Sequence, residues 1–292
     1  MLYILVNPNA GDKKGLKKAI MIQKTYPQFK AKIYLTQCAD DEINQLTQIL
    51  ASYQSNQDQL LIIGGDGTLS KVLLALPKDI PFAYLASGSG NDFNRSLPAS
   101  LETIMEALQK RRTQTISVFQ SANHLILNSL GFGFDARVIS YSQHSSLKRW
   151  LNQFGLGKLT YLLLGIRSAF SRKSVSLTIK DAKGHSQKLS DLFLFVLANT
   201  AYFGGGIMIW PEASVKTNQI DLVYLKKGTV FQNIQGLLAL VLKKHQKSSR
   251  LKHESYTELT LDCYKPTAAQ VDGELTEIVR ETFTCQKRKI YL

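Results

Sequence analysis

Three short apolar runs near the start of the chain each end in a polar loop rich in glycine or asparagine. Leu2 to Val6 leads into Asn7-Pro8-Asn9-Ala10-Gly11. Leu60 to Ile63 leads into Gly64-Gly65-Asp66-Gly67-Thr68, and Phe82 to Leu85 into Gly88-Ser89-Gly90-Asn91-Asp92. Apolar runs this short suit strands buried on both faces. Between them the period is helical: a pattern to about Lys24, then Ile43, Leu46, Ile49 and Leu50 behind a cap at Asp40, then Leu69, Val72, Leu73 and Leu76. Ala31 to Leu35 reads as a further strand and Leu101 to Arg111 as a further helix. Strands alternating with helices predict a parallel sheet covered on both faces. Ligands bind beyond the carboxyl ends of such strands, so the three loops are expected to line one crevice.

After about Thr113 the period changes. Ile116 to Phe119, Leu125 to Leu130, Val175 to Ile179, Leu192 to Ala198, Ile220 to Leu225, Thr257 to Leu261, Ala268 to Val271 and Thr282 to Cys285 are short β-type runs. Turn residues separate most of them, which predicts an antiparallel sandwich or barrel. Two stretches of helical spacing interrupt it, one through Leu159, Leu162, Leu163, Ile166 and Phe170, the other through Phe231, Ile234, Leu238, Val241 and Leu242. The expected division is an α/β domain over 1–112 and a β-sandwich domain over 113–292.

The 292 residues, 44% of them hydrophobic and 20% charged, exclude wholesale disorder. Cys38, Cys263 and Cys285 fit no zinc spacing and leave one cysteine over, which suits a reducing cytoplasm. No secretory leader pattern opens the sequence, and no apolar run approaches the roughly 20 residues that span a bilayer. The net charge of +14 is unevenly placed. No acid occurs from Ala136 to Lys180, where Arg137, Lys148, Arg149, Lys158, Arg167, Arg172, Lys173 and Lys180 stand. None occurs from Leu222 to His253, which holds Lys226, Lys227, Lys243, Lys244, Lys247, Arg250 and Lys252. Any one lysine is ordinary solvated surface, but two long acid-free stretches argue for an anionic partner.

Glycines let backbone amides approach phosphate oxygens, and a helix starting after Thr68 adds its positive end. Asp66 in such a loop suits a magnesium ion or a ribose hydroxyl. One glycine-rich turn is usually only a turn, whereas three at strand ends favour a nucleotide site. The loops fit neither G-x-x-x-x-G-K-[ST] nor G-x-G-x-x-G after the first strand, and Ser89 is not in a G-x-S-x-G elbow. The five histidines show no metal-ligand spacing. In the second half, Val271-Asp272-Gly273-Glu274 joins two β runs. Asp-Gly there is a hairpin signal, but two nearby carboxylates also suit transfer of a phosphoryl group to a hydroxyl.

The order NPNAG, GGDGT, GSGNDFNR, NSLGFGFDA, N-x4-GGG with a following Pro, and DGE spans nearly the whole chain. It resembles the diacylglycerol kinase catalytic-domain family, bacterial lipid kinases related to sphingosine kinases. The resemblance implies an α/β nucleotide domain like that of 6-phosphofructokinase and NAD kinase, followed by a β-sandwich, with ATP in the cleft. By motif position it implies ATP contacts from Asn7, Pro8, Asn9, Ala10, Gly11, Thr36, Gly64, Gly65, Asp66, Gly67, Thr68, Leu69, Ser70, Gly88, Ser89, Asn91 and Asp92. Asp66 would serve phosphates and Mg2+, and Asp272 or Glu274 would be the base. Related enzymes place Asp-Asp-Gly where this chain has Lys216-Thr217-Asn218, so an accessory magnesium is expected to be missing.

The resulting expectation is an ATP-dependent lipid kinase, cytoplasmic and peripherally bound to an anionic membrane surface. Its substrate would be diacylglycerol or a related lipid alcohol. An NAD kinase-like enzyme with a soluble substrate would not need the basic stretches and would not be expected to carry DGE. A non-catalytic lipid-binding relative would lose the carboxylates that remain here. No nucleic-acid module is recognisable, so nucleic acid is not an expected partner.

Overall fold

A computed structural model describes residues 1–11, 14–88, 90–134, 174–245 and 247–292. They form two compact units, Met1–Val118 with Gln286–Leu292, and Phe119–Cys285. The leucine-rich stretch 159–170 and most of the first acid-free run lie outside the described residues.

In the first unit, β1 (Leu2–Val6), β2 (Ala31–Leu35), β3 (Gln59–Gly64) and β4 (Phe82–Ala86) pair in parallel in the order β2-β1-β3-β4. Ile290, near the end of β15 (Glu274–Tyr291), pairs with Phe82 beyond β4. Alternate strand residues face opposite ways. Leu2, Ile4, Val6, Leu61, Ile63, Ala83 and Leu85 share a core with α1 (Lys14–Thr25) and α5 (Leu101–Gln109). On the other side α2 (Glu42–Leu50) and α3 (Asp66–Ala75) pack on each other and bury Leu46, Ile49, Leu69, Val72 and Leu73. A short helix, α4 (Asp92–Ser96), follows the β4 loop; its five residues are too few to show a period.

The cap expected at Asp40 is one residue off. Asp40 has φ 63, is exposed, and pairs with Lys71 at 2.7 Å. Its left-handed backbone turns the chain, and Asp41 takes the N-cap place with helical φ and ψ. The Asp41 carboxylate accepts from the Gln37 amide at 2.8 Å and from the side chains of Gln45 and Asn44. The inner face of α2 therefore runs through Glu42, Gln45, Leu46 and Ile49, and Ile43 is 48% exposed.

The second unit is antiparallel. Its strands are β6 (Leu125–Ile126), β7 (Ser129–Gly133), β8 (Val175–Asp181), β9 (Ser186–Ala198), β12 (Ile220–Lys226), β13 (Lys252–Tyr256), β14 (Glu258–Val271) and the first part of β15, with a small β10 (Tyr202–Phe203) and β11 (Ile207–Met208) hairpin aside. β5 (Thr113–Gln120) ends by pairing with β6. β7 and β8 each pair with both β9 and β14, which closes a ring around Phe132, Phe195, Leu197, Leu222, Leu259, Leu261 and Phe283. The opposite faces of β9 and β12 pack under helix α6 (Val230–Val241) through Val196, Val223, Leu225, Leu237 and Leu240.

Several runs differ from expectation. Leu125 to Leu130 splits into β6 and β7 because the amides of Leu127 and Asn128 turn to a carboxylate rather than to a neighbouring strand. The runs Thr257–Leu261 and Ala268–Val271 are one strand, β14, carrying an irregularity between Asp262 and Thr267. Polar β13 gave no apolar signal. Helix α6 forms where the spacing predicts, but Phe231, Leu238, Val241 and Leu242 lie outside and Asn233, Gly236, Leu237, Ala239 and Leu240 lie inside.

In the first unit the returning segment is locked by Arg288, which is 1% exposed. Its Nη2 donates to the carbonyls of Leu73 and Leu76 at 3.1 and 2.8 Å, closing the C-terminal end of α3. Burial pulls its guanidinium down to about 10. Arg288→Met keeps the stem but orphans those carbonyls, so a loss of about 1–3 kcal/mol is expected by urea unfolding. A second expectation concerns acid. The Gln37 amide, then Gln45 and Asn44, hold the Asp41 carboxyl below its ordinary value. A depressed native value means the stabilisation is full above the unfolded value of about 4 and fades as pH falls through the native one. Asp41→Asn should thus lower Tm at neutral pH, and the difference should close in melts taken at progressively lower pH.

Candidate functional site

Because β1, β3 and β4 run in parallel register, Val6 lies beside Ile63 and Ile63 beside Leu85. The Asn7, Gly64 and Ser87 segments therefore leave the sheet along one edge, joined by Asn7 N to Ile63 O (2.9 Å), Thr36 N to Val6 O (3.0 Å) and Ser87 N to Gly64 O (2.8 Å). The loops then meet. Gly11 has φ 55, and a Cβ there would fall 1.5 Å from the Ser87 carbonyl oxygen. A Cβ at Gly88 would fall 2.6 Å from the Cα of Gly65. These two glycines serve the approach of loop to loop.

The Asn7 side chain ties the first loop to the others. Its Oδ1 accepts from the Asn9 amide at 3.0 Å, and its Nδ2 donates to Thr68 Oγ1 at 3.0 Å and, at 3.4 Å, to Glu42 Oε1. The Thr68 hydroxyl in turn donates to Glu42 Oε1 at 3.3 Å. Pro8, Asn9 and Ala10 form the turn that Gly11 closes. Thr36 is buried at the end of β2.

Asp66 is the first residue of α3, whose N-cap, Gly65, offers no side chain to the first-turn amides. A helix start of this kind is a positive end suited to an anion. Asp66 Oδ2 accepts the Asp92 amide at 2.7 Å, and Oδ1 lies 3.5 Å from the Tyr84 hydroxyl. Tyr84 also donates to the Gly64 carbonyl at 3.2 Å. Burial, then the Asp66 charge, pushes the Tyr84 hydroxyl upward, so it remains a donor. Asp66 thereby joins the second and third loops. Within α3, Gly67 and Ser70 are half-buried, while Leu69 is fully buried in the core.

In the third loop Asn91 takes φ 52, and the Asp92 carboxylate is in an ion pair with Arg95. Ser89 lies outside the described residues. Glu42 Oε2, Ser87 Oγ and Asn91 Oδ1 are buried without a hydrogen-bond partner among the described residues. Buried polar atoms rarely go unpaired, so three on these elements fit a site made for a polar ligand. Sequence reasoning missed Glu42, a lone acid on a helix, and Tyr84, a strand residue. It also missed Lys18, whose Nζ donates to the Ala86 carbonyl at 2.7 Å and whose ammonium burial, aided by Lys14, pulls downward.

The second unit holds Asp272 and Glu274. Val271 faces Glu274 across a two-residue turn in which Asp272 (φ 49) and Gly273 (φ 91) are both left-handed, a type I′ pattern. Asp272 Oδ1 accepts the amides of Asn128 and Ser129 at 2.7 and 3.0 Å, and Oδ2 that of Leu127 at 2.9 Å. Asn199 Nδ2 donates to the Leu127 carbonyl, and Thr200 to Asn128. Asn128 and Ser129 from one motif thus bind Asp272, and Thr200 from another binds Asn128. Gly204, Gly205 and Gly206 form the turn between β10 and β11. Glu274, in contrast, starts β15 as an exposed residue. Lys216-Thr217-Asn218 is a turn fastened by Thr217 Oγ1 to the Ser214 carbonyl at 2.9 Å. Among the described residues no cluster of three His, Cys, Asp or Glu could hold a metal by itself.

The family model described as the diacylglycerol kinase catalytic domain matches residues 1–121, and the YegS C-terminal NAD kinase beta sandwich-like domain matches residues 128–291. YtlR of Bacillus subtilis strain 168 is 24% identical over 287 residues, covering 94% of this chain and 93% of its own. The diacylglycerol kinase of Staphylococcus carnosus strain TM300 is 22% identical over 279 residues, covering 93% and 87%. Among solved structures, a diacylglycerol kinase from Bacillus anthracis str. Sterne aligns with TM-score 0.68 at 16% identity over 99% of this chain and 96% of that one. An NAD kinase from Archaeoglobus fulgidus in complex with ATP aligns with TM-score 0.50 at 12% identity over 100% and 94%. With both halves matched in order, this chain belongs to the diacylglycerol kinase catalytic-domain family, in the form that carries an NAD kinase-like β-sandwich domain.

Proposed function

We propose that the protein is an ATP-dependent lipid kinase that phosphorylates the hydroxyl of diacylglycerol or a related lipid alcohol at a membrane surface. The observation that carries this reading is the edge of the first unit, where three loops and the uncapped start of α3 come together, and where Glu42, Ser87 and Asn91 each bury a polar atom without a partner among the described residues. Family membership supports the kinase class, and the ATP named for the Archaeoglobus fulgidus structure supports the nucleotide. The acid-free basic run from Leu222 to His253 supports the membrane.

In this reading the first-turn amides of α3 and the loop amides bind the phosphates, and Asn7 and Thr68 keep the loops in place. Mg2+ bound with the nucleotide would neutralise phosphate charge. The ion usually takes one or two carboxylates plus phosphate oxygens, a pattern that Asp66 fits without a prebuilt cluster. The lipid oxygen forms a bond to the γ-phosphorus as the bond from that phosphorus to the bridging oxygen breaks, and ADP leaves. The hydroxyl proton goes to a carboxylate, for which Glu274 is the better candidate. The Asp272 oxygens already accept three amides, which favour the ionised form over the protonated one. Lys216 disfavours an accessory divalent cation beside it.

The decisive assay incubates labelled ATP with a total lipid extract and identifies the labelled product; no labelled lipid would overturn the reading. In the same assay Asp66→Ala should remove at least nine-tenths of turnover, a loss of about 1.4 kcal/mol or more. Glu274→Gln should lower kcat by about 100-fold with ATP binding retained, the range of a lost general base. Asp272→Asn exchanges an acceptor for a donor facing three amides, so it should lower Tm as well as rate. Normal turnover in Glu274→Gln would move the base elsewhere.

A further inference from the structure

The inner side of α6 is fixed in place. Gly236 lies so near β12 that a Cβ there would come within 2.6 Å of Leu225 Cδ2. Asn233, 1% exposed, accepts the Gly228 amide at 3.0 Å and donates to its carbonyl at 3.4 Å. Both helix ends are closed. Thr229 Oγ1 accepts the Gln232 amide, and Gln232 Oε1 accepts that of Thr229. At the other end Lys243 N donates to the Leu240 carbonyl and Lys244 N to that of Ala239, with Lys243 at φ 55. This paired closure normally places glycine at the left-handed position. Helix α6 is therefore complete without a partner, and its rotation about its own axis is set.

That rotation puts Phe231, Leu238 and Leu242 outward. Spacings of seven and four residues align them on one line, 77%, 38% and 57% exposed. Val230 and Val241 flank the line, and Val230–Val241 contains no charged residue. A solvated helix face ordinarily carries charge. The charge sits around it instead: Lys226 and Lys227 precede the helix, and Lys243, Lys244, Lys247, Arg250 and Lys252 follow, with no acid between Leu222 and His253. At about 18 Å the helix is too short to cross a bilayer, and no helix of the described residues is long and apolar enough to do so. An uncharged apolar line with lysines at both of its ends is the composition of a helix lying in the plane of an anionic membrane. A second copy of this face would bring like-charged lysines at the helix ends together, whereas anionic headgroups complement them.

We propose that α6 is the element that docks this protein on an anionic lipid bilayer, with Phe231, Leu238 and Leu242 entering the acyl boundary and Lys243, Lys244 and Lys247 meeting headgroup phosphates. This deepens the membrane-surface part of the proposed function and is independent of the phosphoryl transfer. The test uses the full chain and two vesicle types, phosphatidylcholine alone and phosphatidylcholine mixed equally with phosphatidylglycerol. Tryptophan at the helix start, Phe231→Trp, should shift its emission to the blue only with the anionic vesicles and be quenched by brominated acyl chains. Phe231→Ser with Leu242→Ser should lower vesicle partitioning at least about ten-fold without lowering Tm, since both side chains are exposed. Lys243→Glu with Lys244→Glu should also lower it and weaken its dependence on salt. Unchanged partitioning of the double serine variant, or an unshifted and unquenched tryptophan, would overturn the proposal. So would a wild-type dimer that the double serine variant converts to monomer, which would assign the face to a second copy. Lipid phosphorylation in detergent micelles separates the two readings. A chain that docks through α6 but phosphorylates no lipid overturns the kinase reading alone.

Discussion

Val6, Ile63 and Leu85 stand abreast because β1, β3 and β4 pair in parallel and in step. A parallel ladder sends every following loop off the same edge, so the site is a consequence of pairing before any polar residue is considered. The glycines then decide how close the loops come. Gly11 against Ser87 and Gly88 against Gly65 are contacts that no side chain could share. Hydrogen bonds donated by Asn7, Thr68 and Tyr84, and one that Asp66 accepts from the Asp92 amide, hold that arrangement. Buried alkyl side chains on both faces of the sheet, each contributing about 1.5–3 kcal/mol, keep the edge rigid.

The electrostatics of this edge favour an anion that arrives with a cation. In the proposed reading the α3 start and the loop amides would attract phosphate, while a carboxylate at Asp66 would repel it. Under the proposed nucleotide reading, a divalent ion held by Asp66 with the nucleotide would offset that repulsion. Glu42 stays near the phosphate loops yet has one oxygen bonded to Asn7 and Thr68. That oxygen accepts from the same two donors that hold the first loop.

In the second unit one carboxylate fastens its own turn to the segment 127–129. Asp272 sits in a left-handed turn and accepts three consecutive amides, which is why the run from Leu125 to Leu130 breaks where it does. Hydrogen bonds to a charged acceptor are worth about 1.5–3 kcal/mol each. The same turn places Glu274 at the exposed start of β15.

The apolar runs and the loops behind them determined the parallel sheet, the edge on which Asn7, Asp66 and Asn91 gather, and the change to antiparallel strands. Those features follow from local period and from turn chemistry, which a chain carries residue by residue. The motif order likewise carried the family. Tertiary structure decided the rest. The α6 spacing shows an apolar line but not which side faces the core; Gly236 against Leu225 and the buried Asn233 settled that by steric fit and hydrogen bonding. Asp272 and Glu274 read as a pair, but three amides bind Asp272 in the type I′ turn and Glu274 starts β15 exposed. Arg288 and Glu42 gave no signal at all, because their roles rest on carbonyls and side chains of residues far from them along the chain. Burial and long-range pairing are properties of the packed molecule, and a single sequence does not state which residues will meet.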